Sequence, residues 1–155
     1  DTAGAGFDEE TEPDGESRLN PQEAALVVRH VQRLLDSGLG PQDIAVIAPY
    51  AAQVRLLRSQ LPILGLEIDS VDGFQGREKE AVVISLVRSN PQGEIGFLAD
   101  IRRMNVALTR ARRKLLIIGD TATLAHHPFY SRLIEYVESV GGYRTVWEDD
   151  ECGLP

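Results

Sequence analysis

Between Asp100 and Arg113 the chain carries Arg102, Arg103, Arg110, Arg112 and Arg113, with one acid and no lysine among them. A guanidinium is a planar fork that holds phosphate oxygens bidentately at fixed geometry, so this run is a candidate phosphate grip. On a helical wheel Ile101, Met104, Leu108 and Ala111 form one stripe, and Arg103 and Arg110, seven residues apart, point together the other way. A solvated basic face would show the same pattern. Three features weigh against it here: the helix feeds directly into an apolar strand, arginine replaces lysine, and Thr109 sits beside Arg110 at the end near the sheet.

A second stretch, Gly73-Phe74-Gln75-Gly76-Arg77-Glu78, has glycines such as Gly76 that let backbone approach a ligand closely. Its acid, Glu78, can accept hydrogen bonds from a ribose hydroxyl. Alone it is weak, because a surface turn with an Arg77–Glu80 ion pair would look alike. No G-x-x-x-x-G-K-[ST] run exists: Lys79 and Lys114 are followed by Glu80 and Leu115, so the chain forms no phosphate-cradling loop of its own. His126-His127 has no third ligand at metal-binding spacing and reads as a loop before Pro128, and Asp120 reads as a cap for the next helix rather than a magnesium ligand. No metal site is expected. Tyr50 and Phe74 can stack on bases, yet aromatics beside strand ends are as often core.

Both groups must be held by a framework. Ala81–Val87 and Lys114–Asp120 are short, β-branched-rich apolar runs that read as strands buried on both faces of a parallel sheet, with ligands expected at the carboxyl ends of the strands. Asn20-Pro21-Gln22-Glu23 opens a helix, with Asn20 as cap, Pro21 in the first turn and Glu23 reaching back to the cap amide. Ile44–Ala48 reads as a buried strand, Ala51–Leu61 as a helix ended by Pro62, and Pro128–Val140 as a helix with Phe129, Leu133, Val137 and Val140 inward. Tyr143–Trp147 reads as a last strand. Alternating helices and strands give an α/β fold.

The formal charge of −8 is unevenly spread. Seven acids and no base lie in Asp1–Glu16 and four acids in Glu148–Glu151, leaving 13 of the 24 acids against all 16 bases in between, so the body is about +3. The acidic ends should mask a basic body, and the acid-rich Phe7–Arg18 stretch should be a mobile loop outside the core. The single Cys152 excludes a disulfide framework, and no apolar run approaches the length of a membrane span; a cytoplasmic, membrane-free protein is the simplest reading. Asp1 in place of an initiator methionine reads as a piece of a longer protein.

Taken together, several runs resemble one family. Val71-Asp72-Gly73-Phe74-Gln75-Gly76-Arg77-Glu78-Lys79-Glu80, Val87-Arg88-Ser89-Asn90, Gly96-Phe97-Leu98 and Arg102–Arg112 look like motifs V and VI of superfamily 1 helicases, in the 5′→3′ branch that includes the nonsense-mediated-decay and immunoglobulin-mu-binding-protein helicases. Ile44–Gln53 resembles motif IV, with Ala48 where relatives often carry a hydroxyl residue. The resemblance implies the second RecA-like domain of such a motor, a three-layer sandwich around a mostly parallel sheet. Arg110 matches the motif VI arginine that reaches the γ-phosphate of ATP, Glu78 a glutamate near the ribose, and Ser70, Gln75 and the Pro49-Tyr50 turn, with Gln53 beside them, positions that line the nucleic-acid track. It implies ATP with Mg²⁺ held mainly by a first RecA-like domain, a single-stranded DNA or RNA partner, and a monomeric fragment inactive as an ATPase alone. Residues 1–19 are then an acidic loop or linker following a truncated first strand, 20–147 the RecA-like domain and 148–155 an acidic tail. Two other readings stay open: a non-catalytic module binding nucleic acid or protein, and a stand-alone nucleotide-binding domain.

Overall fold

The structure is a computed structural model and describes residues 1–74 and 77–148. In chain order the elements are β1 (Glu10–Thr11), β2 (Arg18–Leu19), α1 (Pro21–Asp36), β3 (Ile44–Ile47), α2 (Ala51–Gln60), β4 (Glu67–Asp69), β5 (Lys79–Ser85), α3 (Ile101–Leu108), β6 (Ala111–Ile118), α4 (Thr121–Leu124) and α5 (Pro128–Ser139). Among the described residues, β3 to β6 form one parallel sheet in the order β4-β3-β5-β6, while β1 and β2 make a separate antiparallel pair. This is the three-layer α/β architecture of a RecA-like domain.

The layers follow from strand alternation. Ala81 and Val83 of β5 pack with Ile44 and Val46 of β3 against Ala24, Val27 and Val31 of α1 and Val54 and Leu57 of α2. Val82 and Ile84 face the other way with Ala45 and Ile47, onto Met104 and Ala107 of α3, Leu124 of α4 and Tyr130 of α5. As central strands covered on both sides, β3 and β5 need unbroken apolar runs. Truncating a fully buried residue such as Leu57 or Ile84 to alanine should cost roughly 2–5 kcal/mol.

Several expectations change. β6 is an edge strand, and its residues 112–115 are exposed rather than buried on two faces. Residues 143–145 form no strand; Thr2 donates one backbone hydrogen bond to Gly119 near the end of β6. Short β4 carried no apolar run to reveal it. In α5, Val140 is exposed and the buried member is Tyr130, whose hydroxyl donates to Leu98 O at 2.5 Å. Asn20 does cap α1, accepting from Glu23 N at 3.1 Å, but the Glu23 carboxylate turns away from the cap into the core. Among the described residues no helix is long and apolar enough to cross a membrane.

Candidate functional site

Helix α3 begins with Asp100 accepting from Arg103 N and stops at Leu108, and the capping Thr109 turns its hydroxyl back onto the carbonyls of Asn105 and Val106, both at 3.0 Å. Arg110 therefore lies in the junction between α3 and β6, not on the helix. The wheel that paired it with Arg103 runs past the helix end. Its guanidinium is tied at three points: Nε donates to Val106 O at 3.0 Å, Nη1 to Arg77 O at 3.0 Å and Nη2 to Thr109 Oγ1 at 3.1 Å. The backbone closes the same corner, with Lys79 N donating to Arg110 O at 3.0 Å. Of the five N–H donors of this side chain, two have no partner among the described residues.

The register explains this convergence. Lys79, the first residue of β5, pairs with Ala111, the first of β6, so the loop before each strand reaches the same end of the sheet. Glu78 and Arg110 thus both lie at the amino ends of β5 and β6, away from the carboxyl ends where the sequence placed ligands. Glu78 is exposed and pairs with Arg112 at 3.4 Å, and Arg113 pairs with Glu80 at 3.1 Å while remaining 85% exposed. Arg77 bridges to Glu67 at 2.7 Å and lies over the Phe74 ring at 4.9 Å, so Phe74 is core under a cation. Exposed pairs of this kind contribute little to stability and exchange readily for another partner.

A second group sits toward the carboxyl ends of β3 and β4. Pro49, Ser70, Phe97, Asp100 and Arg103 line one narrow notch. Arg103 lies here, 3.6 Å from Asp72 and 3.5 Å from Asp100, so the structure brings it together with Pro49 and Ser70 and pairs it with two acids. Ala48, Tyr50 and Gln53 are buried. The Gln53 amide accepts from Asn20 N at 2.9 Å and donates to Asn20 O and Ser85 Oγ at 3.1 Å, which makes it an internal tie between β2–α1, α2 and β5. The Tyr50 hydroxyl accepts from Arg88 Nη1 at 3.0 Å and from Phe97 N at 3.2 Å. Neither side chain is a surface group. Gln75 and Gly76 lie outside the described residues.

Beneath this end runs a buried polar network that sequence patterning missed. Glu23 Oε1 accepts from Ser85 Oγ at 2.7 Å and from Val87 N at 2.8 Å. Burial is the dominant cause that raises the Glu23 carboxyl to a pKa of about 7, with nearby Asp120 adding to the rise and hydrogen bonds from Val87 and Ser85 opposing it. Arg88 and Glu9, both side chains 7% exposed, pair at 3.0 Å, and Glu9 Oε1 also accepts from Ser89 N and Asn90 Nδ2. The acid-rich segment expected to lie outside the core thus supplies a buried anion. The available signal was Arg88 itself, a charged residue directly after an apolar run, which needs a partner wherever it is buried. Asp120 caps α4 through Ala122 N at 2.9 Å and accepts from Ser89 Oγ and Thr123 Oγ1; His127 caps α5 through Phe129 N.

Comparison with known proteins gives a consistent picture. A family model described as an AAA domain matches residues 3–122. The chain is 53% identical over 150 residues to the DNA-binding protein SMUBP-2 of Mesocricetus auratus, covering 96% of this chain and 15% of that protein. It is 48% identical over 126 residues to the DNA polymerase alpha-associated DNA helicase A of Schizosaccharomyces pombe, covering 79% of this chain and 19% of that protein. It is 40% identical over 140 residues to the regulator of nonsense transcripts 1 of Caenorhabditis elegans, covering 84% and 13%. The chain spans less than a fifth of the length of each of these relatives.

Proposed function

We propose, from the premise that this chain belongs to the AAA domain family and to the superfamily 1 helicase group of SMUBP-2 and regulator of nonsense transcripts 1, that it is the C-terminal motor domain of an ATP-dependent helicase or translocase. Its part is half of a nucleotide site and one wall of a single-strand track. The observation that carries this reading is the tethering of Arg110 to Val106 O, Arg77 O and Thr109 Oγ1. Three bonds inside the domain fix the plane of the guanidinium, and the donors left over can meet phosphate oxygens without reorganisation.

In this mechanism ATP, with its Mg²⁺, is cradled by a first RecA-like domain, because this chain has no phosphate-cradling lysine loop. Closure of the two domains sets Arg110 against the γ-phosphate as an arginine finger, where it stabilises the charge that develops on phosphoryl transfer. Glu78 exchanges its exposed contact with Arg112 for a ribose hydroxyl, and Gly76 lets the backbone approach. Ser70, Pro49 and Gln75 belong to the track, with Tyr50 and Gln53 bracing it from within; Arg103, beside Pro49 and Ser70, serves this wall rather than the nucleotide. The partner strand is single-stranded DNA or RNA.

The test separates ground state from transition state. In the intact protein carrying this chain, Arg110→Ala should weaken binding of ADP with aluminium fluoride, a mimic of the transferring phosphoryl group, at least tenfold, and leave ADP affinity nearly unchanged. Equal loss for both ligands, or none for either, would count against the finger.

A further inference from the structure

Phe97 is 61% exposed, between buried neighbours Ile95 and Leu98. Its ring stacks on Tyr50 with centroids 5.2 Å apart and planes 25° from parallel, and Tyr50 is only 3% exposed beneath it. Tyr50 is held at its hydroxyl, which accepts from Arg88 Nη1 at 3.0 Å and Phe97 N at 3.2 Å and donates to Ile95 O at 3.4 Å. Arg88 is in turn held by buried Glu9, and follows Val87, a β-branched residue at φ +72°, a conformation that needs outside support. Gly96, at φ +51°, completes the seat, since a Cβ there would collide with the Arg88 guanidinium and lie 2.6 Å from the Tyr50 hydroxyl. Ile95 and Leu98 on either side are buried, so Phe97 is the side chain this turn turns outward.

A strained turn, a buried ion pair and a glycine cradle thus converge on holding one apolar ring in solvent. Core packing gains nothing from that, and the free face of the ring opens beside the notch of Pro49, Ser70 and Arg103. Resting on the reading of that notch as part of a single-strand track, we infer that Phe97 is a stacking platform for one nucleobase of the bound strand. A preorganised aromatic face suits any base, since each has a π-face, and it takes a base without distinguishing DNA from RNA. Tyr50 then contributes as the buried support under the platform, not as a contact.

The experiment measures binding of the intact protein to labelled twelve-nucleotide dT, rU and fully abasic strands by fluorescence anisotropy, comparing wild type with Phe97→Ala, Phe97→Leu and Phe97→Trp. Phe97→Ala should weaken dT and rU binding roughly tenfold to a hundredfold, the effect of one base stack, and leave the abasic strand unchanged. Trp should restore affinity, whereas Leu, apolar but without a π-face, should not. Because the ring is exposed, none of these changes threatens the core. If Phe97→Ala leaves the ratio of base-bearing to abasic binding at its wild-type value, the platform is wrong while the track reading survives. A variant that binds all strands normally but loses nucleotide-driven domain closure would make Phe97 a docking residue for another domain, also overturning the inference. Wild type that binds no strand at all would remove the track reading itself.

Discussion

The Glu23 carboxylate, projecting from the first turn of α1, holds the backbone of Val87 beyond the end of β5: Oε1 accepts from Val87 N at 2.8 Å while Val87 sits at φ +72°. Asn20 Nδ2 secures the other side of the same residue, on the next peptide unit, donating to Val87 O at 3.1 Å. A valine in the left-handed region persists only where its surroundings over-determine it. Here two residues of one helix start supply that constraint and thereby aim Arg88.

A pH dependence follows. Glu23 is raised from its ordinary 4.5 to about 7 by burial, and its Oε2 has no hydrogen-bond partner among the described residues. Between those two values the folded chain binds more protons than the unfolded one. Stability from this group is therefore full below about pH 4.5, falls as pH rises and is gone above about 7, a change of roughly 3 kcal/mol. Denaturant unfolding at pH 5 and pH 8 should show that fall, and Glu23→Gln, which cannot titrate, should abolish it. An identical slope in both proteins would place the effect elsewhere.

Removing Glu9 should be costly despite its place in an acid-rich segment. Glu9→Ala leaves the buried Arg88 guanidinium without its carboxylate and is expected to destabilise by about 3–5 kcal/mol, against about 0.5 kcal/mol or less for the exposed Glu10→Ala. Deletion of residues 1–16 should accordingly lower the melting temperature sharply, rather than simply unmask a basic body. A truncated chain as stable as the original would contradict the buried pair.

Gly96→Ala combines an unfavourable φ of +51° with the collision against Arg88 and Tyr50. We expect a loss of about 1–3 kcal/mol in thermal or denaturant unfolding. Gly4→Ala, also at positive φ but with open space around the added carbon, should lose less. Equal losses would mean that the seat beneath Phe97 has slack.

Much of the framework was legible in the sequence because it rests on local rules: the Asn20 cap, the apolar runs of β3 and β5, and the amphipathic spacing of α1 and α2 all stand as read. What was misread depends on where a local pattern ends or on what lies across the sheet. A 3.6-residue period cannot reveal that α3 ends at Leu108, so it puts Arg110 and Arg103 on one helix face that they do not share. The run Leu115–Ile118 looks like that of a central strand, yet neighbour order puts it at an edge. Ion pairs such as Glu9 with Arg88, 79 residues apart, leave no periodic trace at all.

The role proposed for Arg110, at the junction of α3 and β6, is to stabilise phosphoryl transfer. Single-turnover ATP hydrolysis by the intact protein, measured for Arg110→Ala beside Arg113→Ala, isolates that role. Arg113 is three residues further on, 85% exposed and paired only with Glu80 among the described residues, so its loss should change the rate little. Arg110→Ala should lower the rate by roughly 10³–10⁵, the range of arginine fingers, and Arg110→Lys should rescue poorly because one ammonium cannot reproduce the fork. Near-equal rates for the two alanine variants would remove the finger and leave this run of arginines as a solvated basic surface.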